Sequence, residues 1–284
     1  MTTPPASPSG RTPPRPQASL PRPEEREWTH TIWEVTDAGV LAITLNRPEH
    51  HNALTFPLIR ELLALLQDVA PRREVRAVTL RGAGTRAFCS GDDLRGMDRT
   101  AGLDNAHTGH HQLVMTIREL PKPVIALLTG HALGAGFELS LACDIRIAAD
   151  NLDIGDHRVR RAIGMIAGSS WFLPRVIGRG RALEMLLTGR HLTAAEALNW
   201  GLVTAVWPLA EFDARAAEYV AGIAALPTIA ASAFKAALDY GELHGLRDSL
   251  AHETWVSTRN AGTEDAAEGR ASFFERREPT FRGR

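Results

Sequence analysis

Short apolar runs alternate with helix-period segments up to about residue 208 of this chain, and there the alternation stops. The strand-like runs are Val40–Leu45, Val75–Leu80, Pro123–Leu128, Asp144–Ala149 and Leu202–Trp207. Between the first two, Thr55–Val69 carries Ile59, Leu62, Leu63, Leu66 and Val69 at helical spacing. The pattern predicts further helices near 107–119, 135–143, 180–187 and 194–200. Thr193 and Glu196 have the spacing of a capping box, which starts the last of these. From Leu209 onward the pattern is mostly helical, over 209–224, 229–242, 246–258 and 264–276. No internal repeat is visible. Strand–helix alternation followed by a helical tail predicts an α/β fold with a C-terminal helical region. We divide the chain into a tail (1–25), an α/β core (26–208) and a helical region (209–284). The helical region is too thin in apolar residues to fold by itself. It is expected to cover the core or a neighbouring subunit.

The 284 residues are 44% hydrophobic and 23% charged, which suits a globular chain with a sizeable core. A formal net charge of −1 gives no global electrostatic case for nucleic acid or an anionic membrane as partner. No apolar run approaches the roughly 18 to 20 residues of a membrane span. The two cysteines, Cys89 and Cys143, lack metal-ligand spacing and read as reduced thiols of a cytoplasmic protein. No metal site is indicated; the His110-His111 pair sits in a variable region without partner spacing. Residues 1–23 contain eight of the 17 prolines and no acidic residue. That composition predicts a disordered tail, not a targeting helix or a secretory signal.

Two glycine-containing segments carry the chemistry. In Gly130-His-Ala-Leu-Gly-Ala-Gly-Phe-Glu138, small residues at 134–136 leave N–H groups uncovered where a helix should begin, and Glu138 follows within its first turn. In Phe88-Cys-Ser-Gly-Asp-Asp-Leu94, Gly91 permits a backbone twist that exposes the next N–H. Aimed at one point, two such donors form an oxyanion hole for a thioester carbonyl that turns enolate-like, worth ~3 to 4 kcal/mol per donor in a transition state. Taken singly, each segment reads first as a plain tight turn. The spacing of Gly130–Gly136 is G-x-x-x-G-x-G, and no acidic residue follows at the dinucleotide-binding distance, so a nucleotide cofactor is not expected.

Several blocks in order resemble the crotonase superfamily, the enoyl-CoA hydratase/isomerase family. They are Leu45–Leu54, Ala87–Leu94, Lys122–Asp144, Leu173–Gly178, Leu187–Arg190 with Ala194–Leu198, Gly201–Val203, and the ending Phe274–Arg284. The resemblance runs from about Trp33 to the last residue. It implies a spiral of stacked ββα units with a C-terminal helical trimerisation region, and a homotrimer or a dimer of trimers. It implies an acyl-CoA thioester as substrate, with no cofactor beyond the coenzyme A of the substrate itself. The thioester oxygen is then held by the backbone N–H groups of Asp92 and Ala135, in loops shaped by Gly91, Gly134 and Gly136. Glu138 matches one of two glutamates that handle water and the α-proton. Arg95 falls where a basic residue meets the CoA phosphates, or is a solvated helix-face arginine. Arg282 and Arg284 form a mobile basic end or reach a neighbour's CoA.

The match breaks at the second glutamate. The family block F-G-x-P-E reads Ile154-Gly-Asp-His-Arg158 here, and counting back from Leu173-Pro-Arg175 places Arg158 at the glutamate position. Hydration of a 2-enoyl thioester needs a base for water and a proton source for the α-carbon. An arginine stays charged and shuttles protons poorly. It can hold a substrate carboxylate or pair with Glu138. Asp156 is the candidate replacement acid. Asp92, where the family favours a small residue, either joins the acid–base chemistry or bonds locally near solvent. Asp93 is expected to cap the next helix and His131 to be packed and hydrogen-bonded. The expected activity is hydration of a 2-enoyl-CoA with Glu138 as the acid–base residue. The alternatives are isomerisation, decarboxylation or thioester hydrolysis of a specialised acyl-CoA, or acyl-CoA binding without turnover. No Ser/His/Asp set of the peptidase kind stands out.

Overall fold

The computed structural model describes residues 26–95 and 103–284. The proline-rich segment read as a disordered tail lies outside these residues. In chain order the elements are β1 (Thr31–Val35), β2 (Val40–Leu45), α1 (Phe56–Val69), β3 (Ala77–Gly82), β4 (Ala87–Cys89), α2 (Leu103–Glu119), β5 (Val124–Leu128), β6 (His131–Leu133) and α3 (Ala135–Ala142). They continue with β7 (Ile145–Ala149), β8 (Asp153–Gly155), α4 (Ser169–Ile177), α5 (Arg179–Thr188), β9 (His191–Thr193), α6 (Ala194–Asn199) and β10 (Ala205–Trp207). Four helices close the chain: α7 (Leu209–Ala224), α8 (Thr228–Leu243), α9 (Leu246–Ala261) and α10 (Glu264–Glu275).

Two sheets share the strands. A six-stranded sheet has the order β1-β2-β3-β5-β7-β10, and a four-stranded sheet the order β4-β6-β8-β9. Among the described residues, only the β1–β2 and β8–β9 strand pairs are antiparallel. The chain repeatedly lays a strand in the large sheet, then a short strand in the small sheet, then a helix: β3-β4-α2, β5-β6-α3, β7-β8-α4. This is the ββα spiral that the resemblance implies. Among the described residues, no single helix is long and apolar enough to cross a membrane.

Central strands are buried on both faces, as parallel strands under helices must be. In β5, Val124, Ala126 and Leu128 join the main core with Leu58 and Leu62 of α1, while Ile125 and Leu127 face a second cluster with Phe212, Ala216 and Val220 of α7. Helix α7 is thus the part of the C-terminal region that covers the core. Helices α8 and α9 pack on each other and bury none of their residues.

Several boundaries differ from the sequence reading. The run Val75–Leu80 starts its strand only at Ala77, because Val75 N–H closes a turn on Arg72 O. The run Leu202–Trp207 is a strand only from Ala205, because Leu202 N–H turns back to Ala197 O and ends α6. The three-residue strands of the small sheet are too short for alternation to show in sequence, and Pro174 inside α4 masked that helix. The capping box at Thr193 and Glu196 is present. The basic chain end is docked, not mobile: Asp265 of α10 accepts from Arg282 N–H (2.6 Å) and Gly283 N–H (2.7 Å), and Arg284 pairs with Glu264.

Candidate active site

Helix α3 begins immediately after β6 with no polar side-chain cap, and all eight of its residues are buried. It can sit this deep because Gly136 offers no side chain to β4: a Cβ there would stand 2.3 Å from Cys89 O. The same contact brings the first-turn N–H groups of α3 to the end of β4. There Gly91 adopts φ +108°, a left-handed conformation that a larger residue would resist. The place a Gly91 Cβ would occupy is 3.1 Å from Leu133 O and 3.6 Å from Ala135 N. Leu54 bonds on both sides of Asp92, donating to Gly91 O and accepting from Asp93 N–H (both 2.8 Å). In a parallel bridge of this kind, the Asp92 N–H faces away from Leu54. The two glycine segments, remote in sequence, are therefore neighbours.

Glu138 is fully buried one turn into α3. Its Oε1 accepts from Ser169 N–H (3.3 Å) and its Oε2 from Ile166 N–H (3.5 Å). Ser169 opens α4, so the partial positive end of that helix faces the carboxylate. Oε2 also lies 2.9 Å from Arg158 Nη2. The same Nη2 is 2.6 Å from Asp156 Oδ2, and Arg158 gives Asp156 its backbone N–H (3.0 Å) and Nε (2.9 Å) as well. The two carboxylates are thus bridged by one nitrogen. Arg158 and Asp156 are both buried. Burial works to lower the arginine's pKa. The hydrogen bonds and charges of Asp156 and Glu138 outweigh it and hold the guanidinium above its ordinary value. The cluster thus sets two acids on one base.

The sequence-predicted residues divide accordingly. Glu138, Asp156 and Arg158 form one ion-paired cluster; of the two partners proposed for Arg158, the structure supplies Glu138. The stem of Arg158 runs past Gly134, within 3.6 Å of where a Cβ would be. Gly134, Ala135 and Gly136 line the start of α3, with Gly91 and Asp92 across from them. Arg95 is exposed beyond this group. Asp92 is neither solvent-exposed nor satisfied within its own turn: its Oδ1 lies 2.8 Å from Nε2 of the buried His110 on α2. Asp93 pairs with Arg47 (2.8 Å) and accepts from Arg95 N–H, and the Arg47 guanidinium holds its carboxyl below the usual range. Its expected capping of the next helix falls on segment 96–102, outside the described residues. His131 is hydrogen-bonded to Asp153 (2.9 Å) and meets the His51 ring edge-on, and its side chain is half-exposed.

Sequence reasoning missed His110 and Ser169. A signal for His110 existed: Leu113 and Ile117, three and seven positions on, are buried on the same helix face. Ser169 gave none, because its α4 was hidden. Cys89 and Cys143 are free and buried, and no group of His, Cys, Asp and Glu suited to a metal occurs among the described residues.

Residues 35–284 match the family model described as enoyl-CoA hydratase/isomerase. The chain is 36% identical over 256 residues to a putative enoyl-CoA hydratase/isomerase of Bacillus subtilis, covering 89% of this chain and 98% of the relative. It is 35% identical over 248 residues to the 2,3-dehydroadipyl-CoA hydratase of Escherichia coli, covering 86% and 96%. The crystal structure of an enoyl-CoA hydratase from Bacillus anthracis superposes with a TM-score of 0.87 at 36% identity, covering 90% of this chain and all of that one.

Proposed function

We propose, from the premise that this chain belongs to the enoyl-CoA hydratase/isomerase family, that it hydrates a 2-enoyl-CoA to the 3-hydroxyacyl-CoA. Family membership supports acyl-CoA processing in general. The observation that carries the specific reaction is one buried carboxylate, Glu138, held a turn beyond the Ala135 N–H with Gly91-Asp92 alongside. The Asp92 and Ala135 N–H groups are assigned to the thioester oxygen, where an enolate would collect negative charge.

The absence of a second glutamate does not block the balance of the reaction. Glu138 takes a proton from water as the water oxygen bonds to C3. The C2=C3 electron pair moves to the thioester oxygen. When the enolate collapses, Glu138 returns that proton to C2, so one carboxylate serves both steps on one face. Arg158 remains charged throughout and keeps the carboxylate placed. Asp156 is assigned the role of holding Arg158, since all its described bonds go to that residue. Arg158 Nη2 is already shared by two acids, which leaves it less available to a substrate carboxylate at this spot.

Purified protein with crotonyl-CoA and longer enoyl-CoAs should consume the enoyl-thioester absorbance. Glu138→Gln should cost ~10²- to 10⁴-fold in kcat with the fold retained, the usual worth of a general acid–base group. Full activity in that variant would remove the assigned role.

We also assign a trimeric assembly, single or paired, to the C-terminal region. Phe234, Leu238, Leu246, Leu250 and Trp255 of α8 and α9 are exposed in one chain, and so many large apolar side chains left exposed on two neighbouring helices support an association face there.

A further inference from the structure

Outside the Glu138 cluster, a cavity of about 630 Å³ opens between the short 3-10 turn Arg158–Arg161 and the link from α5 to β9. His157, Arg160, Arg161, Gly189, Arg190 and His191 line it, and no acidic side chain does. Two glycines make room for its walls. A Cβ at Gly189, which has φ +63°, would stand 2.9 Å from Arg160 Nε, and a Cβ at Gly155 would stand 2.8 Å from the His191 ring. Arg160 is held against the end of α5, its Nε (2.9 Å) and Nη2 (2.7 Å) both donating to Thr188 O. A carbonyl satisfies these N–H groups but leaves the positive charge without a counter-charge. Arg161 is exposed and pairs with no carboxylate among the described residues. Arg190, by contrast, is matched by Glu184 (2.8 Å) and Glu196. The two rings are fixed in series: His157 Nδ1 lies 3.1 Å from His191 Nε2, and His191 Nδ1 lies 3.1 Å from Asp153.

We propose that this cavity is a binding site for a phosphate group, held by Arg160 and Arg161. The site is separate from the acyl-CoA reading above and does not depend on it. Arg158 leaves the same turn toward Glu138, whereas Arg160 leaves it toward α5, so the cavity shares backbone with the Glu138 cluster but none of its side chains. Two guanidinium groups without carboxylate partners match the charge of a phosphate, about −1.5 to −2 near neutral pH. A lone carboxylate would neutralise only one of them. The planar guanidinium also presents paired N–H donors at the spacing of phosphate oxygens. Arg160 is already fixed by Thr188 O and Gly189, so little of its freedom remains to be lost on binding. The surplus of positive charge acts on His157 too. Burial first, then the charges of His191 and Arg161, hold its pKa below the ordinary value against the pull of Asp156. The volume falls in the range of small-molecule pockets, roughly 300 to 1,000 Å³, and leaves room for the body of a phosphate ester as well as for the free ion.

The test is calorimetric titration of the full-length protein, at constant ionic strength, with inorganic phosphate, glycerol 3-phosphate and glycerol. Both phosphates should bind at one site per chain with a submillimolar Kd, and glycerol should not bind. Tighter binding of the ester assigns the site to an organic phosphate, and equal binding assigns it to the free ion; each supports the phosphate site. Arg161→Gln removes a side chain that holds nothing in the folded chain, so its circular dichroism should be unchanged. It should weaken phosphate binding about tenfold, the worth of one charged hydrogen bond. Arg160→Gln should weaken it as much. Arg215→Gln, at an exposed arginine of α7 paired with Glu211, should leave it unchanged. Absence of phosphate binding in wild type would overturn the proposal, as would binding that survives intact in a folded Arg161→Gln protein. An equal loss in Arg215→Gln would reduce the effect to overall charge and also overturn it. Displacement of bound phosphate by butyryl-CoA would give the cavity to the phosphates of the thioester itself and refute a separate site. If wild type binds no phosphate but Arg161→Gln changes its sedimentation, the arginines serve a contact between chains and the proposal fails.

Discussion

Arg158 sets the character of the site at the scale of single residues. In the hydratase pattern that the chain resembles, its position would be a second carboxylate. Here a guanidinium ties Glu138 to Asp156. Removing the cation alone leaves two buried acids facing each other, so Arg158→Met should destabilise the protein by ~3 to 5 kcal/mol, read from the urea midpoint. Adding Asp156→Asn to that variant should recover part of the loss. The cysteines give a second residue-scale expectation. Removal from water pushes both the Cys89 and Cys143 thiols up to about 12 from an ordinary value near 9.0. The folded state thus favours the neutral thiol, and this contribution is fully present below about pH 9 and lost as pH rises toward 12. At pH 8 neither thiol should react with a disulfide reagent over minutes in the native protein, and both should react in denaturant.

At the scale of elements, the contact of α3 with β4 decides whether the two glycine segments meet. A Cβ at 136 would lie 2.3 Å from Cys89 O and 2.7 Å from Cys89 Cβ, both held in the core. Gly136→Ala should push α3 away from β4, cost ~1 to 3 kcal/mol as overpacking does, and lower kcat more than that stability loss explains. Thermal denaturation and steady-state kinetics on the same preparation separate the two effects. The larger elements were legible because they are periodic. Helix α1 shows its stripe in Ile59, Leu62, Leu66 and Val69, and α6 shows its capping box. The strands β4, β6 and β8, which carry the site, were not. Each has three residues, and each is stabilised by partners elsewhere in the chain and not by its own pattern.

At the scale of the whole molecule, α7 closes one face of the large sheet and α8–α9 stand outside it. Their apolar side chains give the assembly prediction. Sedimentation should show a species of three chains or a multiple of three, and Leu238→Glu with Leu250→Glu should shift it toward single chains of 30.9 kDa. The circular dichroism of the α/β core should be retained in that variant, since α8 and α9 bury none of their residues in one chain. A wild type that sediments as a single chain would refute the assembly.

The sequence by itself determined the α/β class, the helical ending, the family blocks and the position of Glu138. These follow from local periodicity, capping chemistry and glycine spacing, which are written along the chain. It also located the departure at Arg158. What Arg158 does was decided only by the tertiary structure. Whether its charge meets a ligand or Glu138 depends on β8 and the turn after it lying beside α3. That adjacency comes from the pairing of β6 with β8, and neither strand announces its partner. The same holds for Asp92 with His110 and for Ser169 with Glu138. Hydrogen bonds between distant segments depend on distances in space, which local sequence patterns do not encode.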